Sequence, residues 1–224
     1  MKPAPLTDLA AVMRQTPGCR EYLDEPVRDE VLYRVLDQAR FAPSGGNRQG
    51  WRVIVIRNPD TRRALRDLYR RPWQDYVLQH YGTWDTMSEE LRKRVAAAND
   101  MADTLHQVPV HLAVWVDLSV IAVTDAKAGR PSVVAGGSIF PFVQNLQLAA
   151  RAEGLGTRIT TLLSMEEAQV RTLLAAPPGL ALAALVLVGW PRRLPTRLRR
   201  RPVEAFTQLE GFGGPPLVSG GPGW

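Results

Sequence analysis

The sequence predicts a central β-sheet with helices packed against it, and two observations carry that expectation. Segments with apolar residues at helical spacing alternate along the chain with short runs rich in β-branched residues. No internal repeat and no interdomain linker interrupts this alternation. A chain of 224 residues suffices for one sizeable domain and is short for two. The expected organisation is a single domain over residues 1–210 and a Gly/Pro-rich tail over 211–224.

The elements follow in order. Residues 6–13 form a short expected helix opened by Thr7. Asp24 is a candidate cap for a stronger helix with Pro26 in its first turn. That helix carries Val31, Leu32, Val35, Leu36 and Ala39 at helical spacing and stops before Pro43. Residues 52–56 are dense in β-branched side chains and predict a strand. Residues 61–70 predict a helix whose Arg62, Arg66 and Arg70 form a solvated stripe. Residues 72–87, rich in Trp, Tyr and Gly, predict irregular structure or short helices, and 89–106 a long helix.

A buried strand is expected over 110–116, with Trp115 inside it. Gly136, Gly137 and Ser138 open a helix whose core face is Ile139, Phe142, Val143, Leu146 and Ala150, with Gly154 as its stop. Residues 157–162 read as strand. Ser164 and Glu167 match a capping box for a helix through Leu174, and residues 180–188 form an apolar strand. The last fourteen residues hold six Gly and three Pro, which predicts a mobile tail whose Phe212, Leu217 and Trp224 are available to a partner subunit.

Charge and cysteine content narrow the function classes. The formal charge is +6, and Arg192, Arg193, Arg197, Arg199, Arg200 and Arg201 equal that excess within ten residues. Cations so concentrated suit a local anion site better than a nucleic-acid face, which spreads Lys and Arg along a groove. Cys19 is the only cysteine, so no internal disulfide forms. It reads as a buried small residue rather than a nucleophile, because no His is placed to activate it. His80, His106 and His111 lack metal-ligand spacing, so no metal is expected. The N-terminus is a poor signal peptide, and the apolar run at 180–188 is far below the roughly 20 residues that span a bilayer. A cytoplasmic protein is the expectation.

Residues 42–52, Ala-Pro-Ser-Gly-Gly-Asn-Arg-Gln-Gly-Trp-Arg, lie between a helix and a strand. Two glycines free the backbone to approach a ligand, while Ser44, Asn47 and Gln49 offer neutral donors and acceptors. These groups suit a flavin's ribityl hydroxyls and ring amide edge. They equally suit a tight polar loop, and the residues alone leave both readings open.

The stretch resembles the signature loop of the nitroreductase family, of the form A-P-S-x-x-N-x-Q-P-W. Cys19-Arg20-Glu21-Tyr22 followed by Glu25-Pro26-Val27 resembles the family's N-terminal motif. Gln144-Asn145-Leu146 and residues 149–157 resemble its central dimer helix and following turn. Val188-Gly189-Trp190-Pro191 and Arg200-Arg201-Pro202-Val203-Glu204 resemble its closing elements. The matches keep their order from Cys19 to Glu204.

The resemblance implies an α+β fold, a nitroreductase-like sheet flanked by helices, and an intertwined homodimer with FMN in a pocket built by both subunits. It implies that Arg20 lies near the flavin's N1/O2 edge or ribityl chain, and that Ser44, Asn47 and Gln49 hold ribityl and ring. Thr160, Thr161 and Leu162 would pass along the ring, and Arg199, Arg200 and Arg201 would hold the phosphate. Trp73, Tyr76, Tyr81 and Trp84 occupy the stretch of a lid that shapes the substrate slot; packing aromatics are the plainer reading. Three positions depart from the pattern: Thr16 and Gly18 replace an Arg and a Ser, and Gly50 replaces Pro.

The implied activity is ping-pong hydride transfer from NADH or NADPH to nitroaromatics, quinones or similar electron-poor acceptors. Other activities of the family include enone reduction and reductive dehalogenation, and a deazaflavin is a conceivable substitute for FMN. A non-catalytic flavin-binding protein and a nucleic-acid module are the rival classes.

Overall fold

The computed structural model describes residues 4–195 and 198–219. Along the chain it places α1 (Leu9–Arg14), α2 (Asp29–Ala39), β1 (Trp51–Ile56), α3 (Pro59–Tyr81) and α4 (Glu89–Thr104). Then follow β2 (Val110–Asp117), α5 (Phe140–Ala152), β3 (Gly156–Thr160), α6 (Glu167–Leu173) and β4 (Leu180–Gly189). By its contacts the chain divides into two units, Met1–Leu194 and Pro195–Trp224.

The first unit is organised by β2 and β4, whose apolar residues face both ways. The sheet order is β1-β2-β4-β3, and every neighbouring pair is antiparallel. Leu112, Val114, Val186 and Val188 face a core built with α2 and α5, where Phe142 stacks on Trp51 of β1 at 4.9 Å. Ala113, Trp115, Leu185 and Leu187 face the opposite core, against Leu65 and Tyr69 of α3 and Val170 of α6. Two strands buried on both faces read as continuous apolar runs, which is why the sequence shows them plainly. A register shift between Val114 and Trp115 inserts one residue on β4 and keeps apolar side chains on the proper faces. His111 is fully buried in this sheet, and burial pushes its pKa down to about 3.

Several local expectations are corrected. The cap of α1 is Asp8, which accepts from the Ala11 N–H at 2.6 Å, rather than Thr7. Asp24 caps nothing, because residues 21–23 are drawn out alongside the end of β4. Leu23 donates its N–H to the Trp190 carbonyl at 2.8 Å, and the helix starts only at Asp29. The helix expected over 61–70 runs on to Tyr81 with Pro72 inside it. Pro72 is buried beside the face that carries Leu65 and Tyr69, so packing outweighs the hydrogen bond a proline removes.

The stripe on that helix is not simply solvated. Arg62 donates to the Val108 carbonyl at 2.5 Å, and Arg70 pairs with Asp103 at 3.2 Å. Ser138 does not open α5, which begins at Phe140. Ser164 lies within a 3₁₀ turn (Leu162–Glu166) and donates to the Thr161 carbonyl at 2.7 Å, so the capping box does not form. Glu167 instead pairs with Arg171 and accepts from the Leu182 N–H at 2.8 Å.

In the second unit, a 3₁₀ turn spans Val203–Ala205. The segment after it is held by its own hydrogen bonds: Leu209 N–H to the Pro215 carbonyl at 2.9 Å, and Leu217 N–H to Thr207 Oγ1 at 3.2 Å. Up to Ser219 the glycine-rich tail is therefore a turn structure. Arg197 and Trp224, named in the sequence reading, lie outside the described residues.

Gly156 shows how closely the N-terminal segment is seated. A methyl group there would lie 2.7 Å from Cys19 Sγ and 3.0 Å from Pro191 Cβ. Gly156→Ala should lower the denaturation free energy by about 1 to 3 kcal/mol. Gly18→Ala, whose methyl would meet nothing within 4 Å, should cost far less; urea titration of both variants checks the contrast. The same seating buries Cys19 completely and pushes its thiol up to about 11. A chromogenic disulfide reagent should leave the native thiol unmodified in mildly alkaline buffer and modify it fully in guanidinium. Rapid labelling of the native protein would contradict this placement.

Candidate functional site

The neutral polar side chains singled out by the sequence gather at the two edges of the sheet. At the β1 edge, residues 44–49 fold into a 3₁₀ turn (Gly45–Asn47). Gly46, Asn47 and Gln49 all have positive φ, at 62°, 54° and 49°. Two non-glycine residues in the left-handed region within three positions are uncommon, and such geometry clusters where a ligand is held. The loop is braced from within and from α5's approach. Ser44 Oγ accepts the Gln49 N–H at 3.0 Å, Gln49 Nε2 donates to Asn47 Oδ1 at 3.1 Å, and Ser138 Oγ accepts the Gly45 N–H at 3.0 Å. Ser44 is half-buried, while Asn47 and Gln49 are exposed.

At the β3 edge, Thr160, Thr161 and Leu162 line a cleft of about 320 Å³ together with Tyr69, Trp73, Tyr76, Arg158 and Ile159. Thr160 donates to the Tyr69 hydroxyl at 3.3 Å. Trp73 is fixed by donation from Nε1 to Asn99 Oδ1 at 2.7 Å, and it stacks on Tyr76 with centroids 5.9 Å apart. Tyr81 meets Tyr76 edge-on at 6.1 Å. Trp84, in the next turn, lies outside the lining of this cleft, and its carbonyl accepts from Arg92 at 2.9 Å. The structure thus brings two of the four aromatic residues together with all three strand-end residues.

Arg158 was not singled out from the sequence. It projects from β3 beside Tyr22 and Tyr69, and its Nη1 is buried without a hydrogen-bond partner. Burial lowers its pKa, with nearby Tyr69 opposing that shift, yet a guanidinium stays charged. Burial also raises the pKa of Tyr69. A lone Arg in a short strand carries no pattern; its signal arises only when Tyr22 and Tyr69 close around it.

Arg20 lines a separate cavity of about 580 Å³, yet it is close enough to Arg158 of the Thr160 cleft that its charge helps lower the pKa of that guanidinium. Arg199, Arg200 and Arg201 are exposed and belong to the second unit. Among the described residues, no group of three or more His, Cys, Asp and Glu is placed to hold a metal. No helix among them is long and apolar enough to cross a membrane.

The loop at residues 44–49 leads into β1, and Thr160 ends β3, so the two groups occupy opposite edges of one sheet. Three strand spacings, about 14 Å, separate those edges. The β1 edge presents neutral hydrogen-bonding groups, and the β3 edge a cleft walled by aromatic side chains.

Comparison with known proteins agrees with this architecture. The chain is 27% identical over 209 residues to an NADH dehydrogenase of Thermus thermophilus, covering 89% of this chain and 95% of the relative. It is 28% identical over 202 residues to a 5,6-dimethylbenzimidazole synthase of Rhodospirillum rubrum, covering 86% and 89%. Its fold matches that of oxidized iodotyrosine deiodinase bound to FMN and 3-iodo-L-tyrosine with a TM-score of 0.68 at 21% identity, over 88% of this chain and 96% of that one. The family model described as Nitroreductase family matches residues 13–190, which spans the whole sheet and both of its edges, and the chain belongs to that family.

Proposed function

We propose that the protein is an FMN-dependent oxidoreductase, acting as a homodimer, that passes reducing equivalents from NADH or NADPH to nitroaromatics, quinones or similar electron-poor acceptors. The observation that carries this reading is the division of flavin-type groups between the two sheet edges. A twofold arrangement sets the Ser44, Asn47 and Gln49 loop of one copy against the Thr160 cleft of the other, which one chain cannot do within itself.

The residues fit the cofactor. Ser44, Asn47 and Gln49 supply neutral hydrogen-bonding groups for the ribityl chain and ring amides, and Thr160, Thr161 and Leu162 border the ring. Arg199, Arg200 and Arg201 supply the forked donors that a phosphate needs. Arg158, desolvated and with a buried Nη1 that lacks a partner, joins the neighbouring Arg20 as a cation we assign to the electron-rich edge of the ring. FMN, when bound, supplies the hydride chemistry, and the protein supplies position and electrostatics. Trp73 and Tyr76 wall a cleft of about 320 Å³ that suits one flat ligand at a time. Donor and acceptor then alternate, as a ping-pong scheme requires.

The relatives include synthase and deiodinase names, and reductive dehalogenation is the second reading. The aromatic wall at Trp73 and Tyr76 suits an aryl halide as well as a nitroarene. A cytoplasmic location follows from the nicotinamide donors and is part of the same proposal.

The first test is the visible spectrum of the purified protein, then anaerobic addition of NADH and of NADPH. Flavin bands that bleach with either nucleotide are expected; a colourless protein that takes up no FMN overturns the proposal. Sedimentation equilibrium should give a dimer. Arg158→Met should keep the protein folded and slow nucleotide-driven flavin reduction about tenfold to a hundredfold, the value of one charged hydrogen bond. Tyr76→Ala should shift KM among acceptors while flavin content stays unchanged.

A further inference from the structure

The loop at residues 44–49 needs two kinds of support, one for its shape and one for its place. Gly46, Asn47 and Gln49 stand in the left-handed region, and such backbone persists only where surrounding contacts hold it. The bonds from Gln49 to Ser44 and to Asn47 keep the shape, but they run within the loop and fix nothing relative to the sheet. Its place is set largely by the connection between β2 and α5, residues 118–139, which touches the loop with both of its ends. At the start, a 3₁₀ turn (Leu118–Val120) is tied down by Asp117, whose Oδ1 accepts the Ser119 N–H at 3.0 Å. The Val120 carbonyl accepts from Arg48 Nη1 at 3.4 Å, and a methyl group on Gly50 would lie 2.8 Å from Val120 Cγ2. At the other end, Ser138 Oγ accepts the Gly45 N–H at 3.0 Å. One more tie, from Arg52 Nη1 to the Gln49 carbonyl at 3.3 Å, comes from β1 itself.

Between these ends the connection has neither helix nor strand, and Asp125 gives it form. Its carboxylate, only 10% exposed, accepts from Ser132 Oγ at 2.6 Å, from the Val133 N–H at 3.0 Å and from Arg130 Nη1 at 2.8 Å. These bonds, that of Ser132 foremost, hold its pKa down to about 2, so it remains an acceptor at any ordinary pH. Ser132 Oγ accepts the Ala135 N–H at 3.1 Å in turn. The Val134 carbonyl then accepts the Gly137 N–H at 2.9 Å, and the chain arrives at Ser138 with its path fixed from Asp125 onward.

We propose that Asp125 and Ser138 are positioning residues: through the folded β2–α5 connection they set where the 44–49 loop stands, and so how tightly the chain holds its flavin. Ser138 acts at the point of contact, on the Gly45 N–H. Asp125 acts at a distance, as the shared acceptor that keeps the connection from loosening. A ligand bonded by Ser44, Asn47 and Gln49 gains most when those groups are already in place, because it then loses no energy to ordering them. The link to flavin rests on the FMN reading above; the bracing of Gly45 does not.

The test reads the loop twice in the full-length chain freed of flavin. Amide exchange followed by NMR gives the protection of the Gly45 N–H, and quenching of flavin fluorescence gives the Kd for added FMN. Ser138→Ala should speed Gly45 exchange and raise the Kd, each by about fivefold to tenfold, the value of one hydrogen bond. Asp125→Ala should move both in the same direction, with amide protection in β2 and β4 unchanged. Ser138→Thr keeps the accepting oxygen and should rescue both readings. Gly45 exchange that neither alanine variant alters overturns the proposal, and so does an equal loss of protection in β2 and β4. Faster exchange with an unaltered Kd overturns it as well, since the connection then props the fold alone. A wild-type chain that takes up no FMN overturns the flavin reading, and Gly45 exchange then decides the brace by itself.

Discussion

The central pair of strands dominates this molecule. β2 and β4 are buried on both faces, so nearly every residue in them must be apolar, and neither face of the sheet has room for polar chemistry. Polar and ligand-seeking groups are displaced to the edge strands and to the loops that lead into them. The braced loop before β1, the cleft after β3 and the cavity beyond α4 all sit at the margins of that dry centre.

Several arginines here hold backbone. Arg62 donates to the Val108 carbonyl, Arg57 to Val27, and Arg151 to Gln15 and Ala4. In each case the planar fork reaches a carbonyl that no secondary structure satisfies. A count of positive charge therefore overstates the anion-seeking surface. Among the described residues of the second unit, the exposed Arg199 and Arg201 carry no such bond.

Much of the fold was legible because burial imposes periodicity. The apolar positions of α2 and α5 recur at helical spacing, and Gly154, at φ 87°, ends the latter as its sequence suggests. The strand at 180–188 stands out as an unbroken apolar run, and that at 110–116 is broken only by His111. The misreadings share one cause, a local rule outweighed by contacts from far along the chain. Pro72 suggests an interruption, yet α3 passes through it because Leu65 and Tyr69 are locked into the core. Asp24 suggests a cap, yet the strand-like pairing with Trp190 claims its neighbours. For the candidate site, the loop at 44–49 was legible as a motif, because its glycines and amides lie together in sequence. Arg158 was not, since its burial depends on residues some ninety and more than a hundred positions away, and the sheet order that sets the two edges apart has no local signature.

Arg151 has one more consequence. Together with the Leu6 N–H bonded to the Ala152 carbonyl, it fastens residues 4–15 to the end of α5 almost entirely through main-chain atoms. Among the side chains of that stretch, buried Val12 adds to the attachment and Asp8 caps its helix. Away from Val12 and Asp8 this first arm can drift in sequence while keeping its path, so divergence at those other positions would say little about divergence of the site.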